Sequence, residues 1–491
     1  MNIRKPVLIV GKHGLIYGLG NILSKVTIFF LIPIYTNYLT TKEVGILALI
    51  EMTEMFFITI GSSAIYQSTW YKLSLNNKDS HSKIIFSGYM GLIISNIVLL
   101  VLLSFFMDGF YQFLGFSKNT GYSIGYLVLI NILLQFGGTF TLALWQYQQK
   151  SIPFIILSIF QLIGILAFSI YFVVFQSMGI FGIILGKFIV VLSIFIFSTI
   201  FLIKKYYSIP SFKIFYELIK FGYPLIFIGL ATPILNVSDR YFLNLFVPLS
   251  QIGIYSINYK FGMLINMFLI VPLQRGLLPM IYRQGLKDEM RSIYKDVLFY
   301  YLIIGCFFIL GVTFFIEPII TWISSPEYTN AAYVVPFIST AYLIAGFRTF
   351  FLPLIALKDR TDLLGKIAVI GIAVCLSLNY VLIRQFGIDG AVAATVFSYL
   401  IFTLSLYYLT IKVEVMDWGW PRIGKVVALT SMIISGVHLV GNQWNSFEWI
   451  SGLIGFISFP VLLWAFRIIG EREINGVKSI ISFLQNKVKS Q

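Results

Sequence analysis

Charge is scarce in this sequence. Only 11% of the 491 residues are charged and 58% are hydrophobic, whereas a soluble domain carries about a quarter of its residues as charges. Histidine occurs three times, and the HExxH, GxSxG and Walker motifs do not occur. The two cysteines, Cys306 and Cys375, stand in apolar runs without CxxC spacing, so neither a disulfide framework nor a zinc site is indicated. These absences exclude ATP hydrolysis on this chain, and we expect a protein that is not an enzyme and has no cofactor.

Apolar runs long enough to cross a hydrocarbon core of about 30 Å recur along the chain. They predict an all-α integral membrane protein with about 14 transmembrane helices. The predicted spans are 14–38, 44–70, 84–106, 124–147, 152–175, 179–203, 222–246, 251–274, 297–315, 331–354, 364–383, 387–410, 425–440 and 449–468.

The basic residues predict the orientation. When both termini are placed in the cytoplasm, the outer loops hold only Lys42, Lys118 and Arg384, as the positive-inside rule requires. This topology accounts for the net charge of +15, and because the bases do not cluster on one face, no nucleic-acid partner is expected. The longest outer loop, 107–123, is too short to display the catalytic groups of a membrane glycosyltransferase or polymerase.

An internal repeat divides the chain. VGILAL at 44–49 matches IGIYSI at 252–257, and GIFG at 179–182 matches GIDG at 387–390, both at an offset of 208 residues. A six-span repeat returns the chain to its starting side, so its copies are related by an axis along the membrane normal. The repeat therefore predicts an N-lobe of spans 1–6 at residues 1–210 and a C-lobe of spans 7–12 at residues 211–412. Residues 413–491 hold spans 13 and 14 and a cytoplasmic tail.

Charged residues deep inside spans are the main functional signal, because a charge near the bilayer centre costs about 2.5–3.5 kcal/mol. The eight charges inside spans that give this signal are Lys25, Glu51, Glu54, Lys187, Asp239, Arg240, Lys260 and Arg348. Five bases against three acids leave a positive surplus, which favours an anionic ligand such as phosphate or pyrophosphate.

A structural role is the alternative for the same residues. Salt bridges such as Lys25 with Glu54, or Lys260 with Asp239, would fix helix packing without binding substrate. Asn258 could hydrogen-bond sugar hydroxyls or equally a neighbouring helix. Lys187 is the weakest functional candidate among the eight charges.

The segment FGYPLIFIGLATPILNVSDRYFLNLFVPLSQIGIYSINYK at 221–260 resembles the polysaccharide-transporter branch of the multidrug/oligosaccharidyl-lipid/polysaccharide exporter superfamily, which includes O-antigen and capsule repeat-unit flippases. Supporting segments are NYLTTKEVGILAL at 37–49, SPEYTNAAYVVP at 325–336 and GIDGAVAAT at 387–395. The resemblance extends over nearly the whole chain.

The resemblance implies two six-helix lobes in a V-shaped arrangement plus a C-terminal helix pair. It implies alternating access that carries polyprenyl-pyrophosphate oligosaccharide outward across a bacterial inner membrane. We expect a monomer whose partners include membrane lipids, a polysaccharide polymerase and chain-length machinery.

The resemblance implies that Lys25, Arg240 and Lys260 hold the pyrophosphate and that Asp239 or Glu54 binds a coupling ion. Arg348, Asn258 and Glu51 are added because of their positions inside the spans. The expected substrate-binding residues are Lys25, Arg240, Lys260, Arg348 and Asn258. The expected residues for coupling Na⁺ or H⁺, or for charge pairing, are Glu51, Glu54 and Asp239. Family members often carry arginines in the cavity, whereas this chain has lysine at positions 25 and 260.

The sequence is also compatible with three other functions. An ion-coupled multidrug exporter would favour a net acidic cavity, which the surplus of bases opposes. A lipid II flippase suits fourteen spans, but the Asp239-Arg240 and Gly253-Ile254-Tyr255-Ser256 pieces favour the polysaccharide branch. A membrane enzyme that polymerises or ligates lipid-linked sugars is disfavoured by the short outer loops.

Overall fold

The structure is a computed structural model that describes residues 29–75, 80–113, 118–285, 288–358, 360–443 and 448–470. Throughout these ranges all regular structure is helical. The helices are α1 (29–38), α2 (Thr41–Leu75), α3 (His81–Ser104), α4 (Met107–Phe113), α5 (Lys118–Tyr147), α6 (Ser151–Ile170), α7 (Gly179–Tyr206), α8 (Phe212–Phe246), α9 (Leu249–Gly262), α10 (Val271–Gln284), α11 (Asp288–Ile323), α12 (Val334–Gly346), α13 (Arg348–Ala356), α14 (Thr361–Val413), α15 (Trp420–Gln443) and α16 (Glu448–Ala465). Two π-helical turns, Tyr171–Phe175 and Asn266–Ile270, and a 3₁₀ turn, Pro326–Ala331, complete the helical structure of these ranges.

Ten helices of the described ranges are long and apolar enough to cross a membrane, and Ile450–Ala465 is a shorter apolar helix. The predicted class of all-α membrane protein is therefore confirmed, while the count of fourteen spans stays a prediction. The longest candidate, Leu363–Val413, has 51 residues and would measure about 75 Å as one straight helix. It contains two predicted spans, 364–383 and 387–410.

A glycine turn separates these two spans. Gly387 has a φ of 57°, a positive value that residues other than glycine rarely adopt. A Cβ atom at Gly390 would overlap the carbonyl oxygen of Leu382, so the chain after the turn lies directly against the helix before it. In the other copy of the repeat, Gly179 has φ 55°, so the GIFG and GIDG segments share a positive φ at their first glycine.

The other pair of repeat segments lies in direct contact. A Cβ on Gly45 would overlap the carbonyl oxygen of Leu249, and a Cβ on Gly253 would overlap that of Thr41. These four positions exchange under the 208-residue offset, because 41 corresponds to 249 and 45 to 253. The first turns of α2 and α9 therefore pack backbone to backbone in a reciprocal contact that only glycine permits.

A capping box fixes the start of α2 at this contact. The Thr40 backbone N–H donates to Glu43 Oε2 at 2.9 Å, and the Glu43 N–H donates to Thr40 Oγ1 at 3.2 Å. Such reciprocal bonds satisfy backbone donors that the first helical turn leaves without partners. The TTKE sequence that precedes the first repeat segment thus determines where α2 begins.

The chain forms two compact units by internal contacts. Unit 1 comprises Met1–Lys260, Thr321–Ala331 and Thr361–Phe402, and unit 2 comprises Phe261–Ile320, Ala332–Arg360 and Thr403–Gln491. The predicted division into lobes at residues 210 and 412 stays a prediction.

Tyrosines anchor the packing in both units. In unit 1, buried Tyr89 and Thr199 form a hydrogen bond of 2.6 Å between α3 and α7. In unit 2, Tyr301 of α11 donates to the Leu343 carbonyl oxygen at 2.6 Å. Interhelical hydrogen bonds of this kind supplement close packing in lipid, where burial of apolar surface gives little driving force between helices.

The C-terminal helices of unit 2 are joined through Arg422. Its guanidinium donates to the carbonyl oxygen of Ile468 at 2.9 Å and lies 3.8 Å from the centre of the Phe299 ring. The cation therefore connects α15 to the residues that follow α16 by a hydrogen bond and to α11 by a cation–π contact.

A second charged contact of unit 2 lies just after α14. Glu414 is 8% exposed and accepts from Arg291 with one carboxylate oxygen and from Lys358, at 3.0 Å, with the other. Burial by itself raises the pKa of Glu414, but the two cations outweigh it and hold that pKa below its ordinary value. Glu414 thereby connects α11, the residues after α13 and the end of α14.

This network predicts a pH-dependent stability. Because the pKa of Glu414 is lower in the folded state, its stabilisation is present above the unfolded pKa of about 4.3 and is lost as pH falls through the folded pKa. We expect Glu414→Gln to cost about 1–3 kcal/mol at pH 7 and to flatten the decline in melting temperature measured from pH 6 to pH 3.5. The control Glu327→Gln, at an exposed carboxyl, should keep the wild-type profile. Parallel profiles for wild type and Glu414→Gln would contradict the prediction.

Candidate functional site

The candidate site is a group of charged and polar side chains buried among the helices of unit 1. At its centre are Asp239 and Arg240, on consecutive positions near the end of α8. Arg240 donates to Asp239 Oδ1 at 3.0 Å and to the Asn236 carbonyl oxygen at 3.3 Å. The two side chains are only 4% and 7% exposed, so this ion pair is enclosed by protein.

Two tyrosines of α9 hold the pair from the other side. Tyr255 and Tyr259 are one helical turn apart and therefore share a face of α9. Tyr255 donates to Asp239 Oδ2 at 2.5 Å, and the Arg240 guanidinium lies 4.1 Å from the centre of the Tyr259 ring. Hydrogen bonding to the acid and a cation–π contact with the base together keep both charges in place.

Helix α14 supplies the third side of the cluster. Tyr399 donates to Asn236 Oδ1 at 2.5 Å, and Asn379 donates to the Ser238 hydroxyl at 3.1 Å. Cys375 lies one turn before Asn379 and 3.7 Å from Ser238, which places this cysteine in the core. Neither Tyr399 nor Asn379 stands out in the sequence, because both lie in ordinary apolar spans more than 130 residues from α8.

A second ion pair joins α2 to α9. Lys260 Nζ lies 3.0 Å from Glu51 Oε2 and 5.7 Å from the centre of the Tyr35 ring. Glu51 is 38% exposed and Lys260 is 13% exposed, in contrast to the enclosed Asp239–Arg240 pair. Glu51 and Lys260 can therefore be reached from outside the helix packing.

A third pair joins α2 to α7. Lys187 contacts Glu54 Oε2, and Glu54 is 5% exposed. Glu54 lies three residues after Glu51, so both acids share one face of α2. Lys187, the weakest candidate in the sequence, thus has a definite ionic partner.

The pairing differs from the examples that the sequence suggested. Lys260 pairs with Glu51 instead of Asp239, and Glu54 pairs with Lys187. The structure brings together Glu51, Glu54, Asp239, Arg240 and Lys260 in unit 1, whereas Lys25 lies outside the described residues.

Two candidate residues have contacts elsewhere. Asn258 is fully buried and donates to the carbonyl oxygens of Ile254 and Tyr328, both at 2.9 Å. Arg348 belongs to unit 2, where its Nε donates to the Ala345 carbonyl oxygen at 2.8 Å. The substrate and ion roles assigned to all these residues stay predictions.

In the described part of the chain, each of the three acids pairs with one base. Within unit 1, the partly accessible pair Glu51–Lys260 can exchange partners, because a negatively charged ligand can replace a carboxylate next to an ammonium group. Carboxylates in such pairs can also accept a proton or a monovalent cation.

Solved structures with a similar fold are membrane transporters. The lipid II flippase MurJ in its inward closed conformation aligns with a TM-score of 0.73 and 16% identity over 93% of this chain and 100% of that chain. An inward-facing multidrug resistance MATE family transporter of the MOP superfamily aligns at 0.63 with 10% identity, over 83% and 94% of the two chains. These likenesses show the fold, which is that of a multi-pass α-helical membrane protein.

The chain belongs to the polysaccharide biosynthesis protein family, whose model matches residues 10–284, more than half of its length. The probable low-salt glycan biosynthesis flippase Agl15 of Haloferax volcanii is 25% identical over 212 residues, which are 40% of this chain. The chain spans 42% of the length of that relative. The family resemblance predicted from the sequence is therefore confirmed.

Proposed function

We propose that this protein is a flippase for lipid-linked glycans, with polyprenyl-pyrophosphate-linked oligosaccharide repeat units as its substrate. It works by alternating access, moves the substrate from the cytoplasmic to the outer leaflet of a bacterial inner membrane, and has both termini in the cytoplasm. It acts as a transporter and not as an enzyme. Membership of the polysaccharide biosynthesis protein family supports the glycan, and the similarity to membrane transporters supports the movement across the bilayer.

The observation that carries the proposal is the accessible Glu51–Lys260 pair inside membrane helices. A pyrophosphate headgroup cannot cross hydrocarbon unaided, because an unpaired charge in that medium is very costly. Lys260 supplies a cation for it, and Glu51 holds that cation when the substrate is absent. Exchange of carboxylate for phosphate keeps Lys260 paired in both states, which avoids a buried uncompensated charge.

The enclosed acids are the candidates for ion coupling. Asp239 and Glu54 each have a basic partner at ion-pair distance, so binding of Na⁺ or H⁺ at either acid would release that partner. At Glu54 this release would break the ionic contact between α2 and α7, and at Asp239, whose basic partner is on the same helix, ion binding would alter the hydrogen bond from Tyr255 of α9. Either change alters how these helices are held together, and this is how an ion gradient could bias the conformation. Arg240, Lys25, Arg348 and Asn258 remain further candidates for contact with the headgroup.

The test is the sidedness of intact lipid-linked repeat units in inverted membrane vesicles from cells that lack the protein and express variants. We expect Lys260→Gln to lower outward transport about tenfold or more, because a charge-assisted contact contributes about 1.5–3 kcal/mol. Glu51→Gln keeps the cation and should retain much more activity, and Lys260→Arg should also retain activity.

Equal losses for Lys260→Gln and Glu51→Gln would assign the pair to helix packing alone. Unchanged sidedness on deletion of the protein, in a strain without a second flippase, would overturn the flippase function and favour export of another solute. Lys72→Gln, at an exposed ion pair with Glu217, controls for a general loss of positive charge.

A further inference from the structure

Two lysines of unit 1 lie side by side at the ends of α5, α6 and α7. Lys150 immediately precedes α6, and its backbone N–H donates to the Trp145 carbonyl oxygen at 2.8 Å. Lys205 is in the last turn of α7. The ring centres of Trp145 and Phe201, next to which Lys150 and Lys205 lie, are 5.4 Å apart. The proximity of Lys205, together with burial, lowers the pKa of Lys150.

The lysine pair has no acidic counterpart in the described part of the chain. The ion pairs there involve other bases, so no carboxylate of a described residue lies within 4.0 Å of either ammonium group. Two ammonium groups that lie near each other repel unless an anion lies between or beside them. The arrangement therefore favours a ligand with a phosphate group.

An apolar groove of about 430 Å³ begins beside these lysines. Lys205 Nζ lies 5.7 Å from the centre of the Phe201 ring, which belongs to the groove wall. Helices α5, α6 and α7 all contribute to it. The lining includes Trp145, Ile156, Phe160, Ile194, Phe197 and Phe201.

The groove opens toward the outside of the helices that form it. Ile156 and Phe160 are 63% and 52% exposed, and only 22% of an apolar stretch of 18 residues in the span Ser151–Phe175 is buried. For a membrane helix such a face is in contact with lipid. A groove that accepts an apolar chain thus adjoins a doubly basic site at the end of the span.

We infer that the groove and the Lys150–Lys205 pair form a binding site for an anionic glycerophospholipid. One acyl chain lies in the groove and the headgroup phosphate bridges the two ammonium groups. The predicted topology places the site at the cytoplasmic leaflet, where anionic lipids bind basic pockets between membrane helices.

The site is separate from the candidate transport site. Lys205 lies 18 residues after Lys187 on α7, which is about 27 Å along the helix axis. Lys187 pairs with Glu54 in the buried cluster. The inference does not rest on the proposed function, because it uses only the groove, the lysines and the membrane setting.

Native mass spectrometry of the purified full chain tests the headgroup contact. The probes are phosphatidylglycerol and phosphatidylcholine with identical acyl chains. We expect wild type to retain phosphatidylglycerol preferentially, and the double variant Lys150→Gln/Lys205→Gln to bind it about tenfold more weakly. The control Lys213→Gln/Lys220→Gln removes two exposed lysines of α8 and should bind phosphatidylglycerol as wild type does.

A second pair of variants tests the groove. Ile156→Trp fills the groove and should weaken phosphatidylglycerol binding, whereas Ile152→Trp, at a 71% exposed position of the same helix outside the groove lining, should not. Equal retention of both lipids, or unchanged binding in Lys150→Gln/Lys205→Gln, would overturn the inference. Preferential displacement of phosphatidylglycerol by polyprenyl phosphate would also overturn it, because the site would then hold the tail of a transport substrate. No oligosaccharide is present in this assay, so its failure leaves the transport proposal untouched.

Discussion

Gly253→Val is expected to separate the first turns of α2 and α9 and to abolish most transport. A Cβ at position 253 would overlap the carbonyl oxygen of Thr41 and lie 2.9 Å from the Gly45 nitrogen. Backbone atoms cannot rotate aside as a side chain can, so relief requires movement of a whole helix end. Overpacking of this kind costs about 1–3 kcal/mol even where neighbours can adjust, which corresponds to a loss of about 5- to 150-fold in the population of this conformation.

The measurement combines cross-linking with the vesicle assay. Cysteines introduced by Thr41→Cys and Leu249→Cys report whether the helix ends remain adjacent, with a short thiol-reactive cross-linker in intact membranes. The native Cys306 and Cys375 are buried and can be replaced by serine. We expect a strong loss of cross-linking and of transport in Gly253→Val, and a similar loss in Gly45→Val because the contact is reciprocal.

The matched control is Gly436→Val in α15, where a Cβ would meet no atom within 4 Å. It carries the same substitution in a helix interior without the close contact, and should keep wild-type cross-linking. Normal cross-linking and transport in Gly253→Val would show that the contact is not needed in the working protein.

Removal of one member of the Asp239–Arg240 pair is expected to give the second large effect. Arg240→Gln leaves a buried carboxylate without its cation, which costs about 3–5 kcal/mol of stability. Asp239→Asn should be costly for the same reason, since it leaves the Arg240 guanidinium without its acid. The double variant Asp239→Asn/Arg240→Gln removes both charges and should recover most of the loss.

Two measurements separate two roles for Asp239: thermal unfolding in detergent, and transport in vesicles. Both are made on the wild type, the two single variants and the double variant. If the pair serves packing alone, the double variant recovers stability and transport together. If Asp239 also binds the coupling ion, the double variant recovers stability but not transport. Lys72→Gln/Glu217→Gln is the control, because an exposed pair contributes little. Additive losses in the double variant would contradict the proposed coupling between the two charges.

Much of the fold could be predicted from the sequence because a bilayer determines secondary structure from the length of an apolar run alone. An apolar run near 20 residues long must cross as a helix, since every backbone polar group has to be satisfied within the segment. The helices of the structure extend beyond the predicted spans, as α2 does at Thr41–Leu75 against 44–70. A helix does not stop at the hydrocarbon boundary when its ends continue in the polar interface.

The repeat could be recognised in the sequence, but the contacts that its copies make could not. The 208-residue offset related GIFG to GIDG and VGILAL to IGIYSI. The structure adds that the first of these matches shares a glycine with positive φ, whereas the members of the second contact one another. Sequence similarity cannot tell these two outcomes apart, because it gives no position for either copy.

The sequence by itself determined the membrane class, the helical content, the family and the identity of the charges placed inside spans, because these follow from composition, run length and local motifs. Only the tertiary structure decided that Lys187 pairs with Glu54, that Lys260 pairs with Glu51, and that Tyr399 reaches Asn236. Each of these contacts joins residues more than 130 positions apart. Which side chains meet depends on the rotation of each helix about its axis and on its neighbours, and hydropathy along a chain specifies neither.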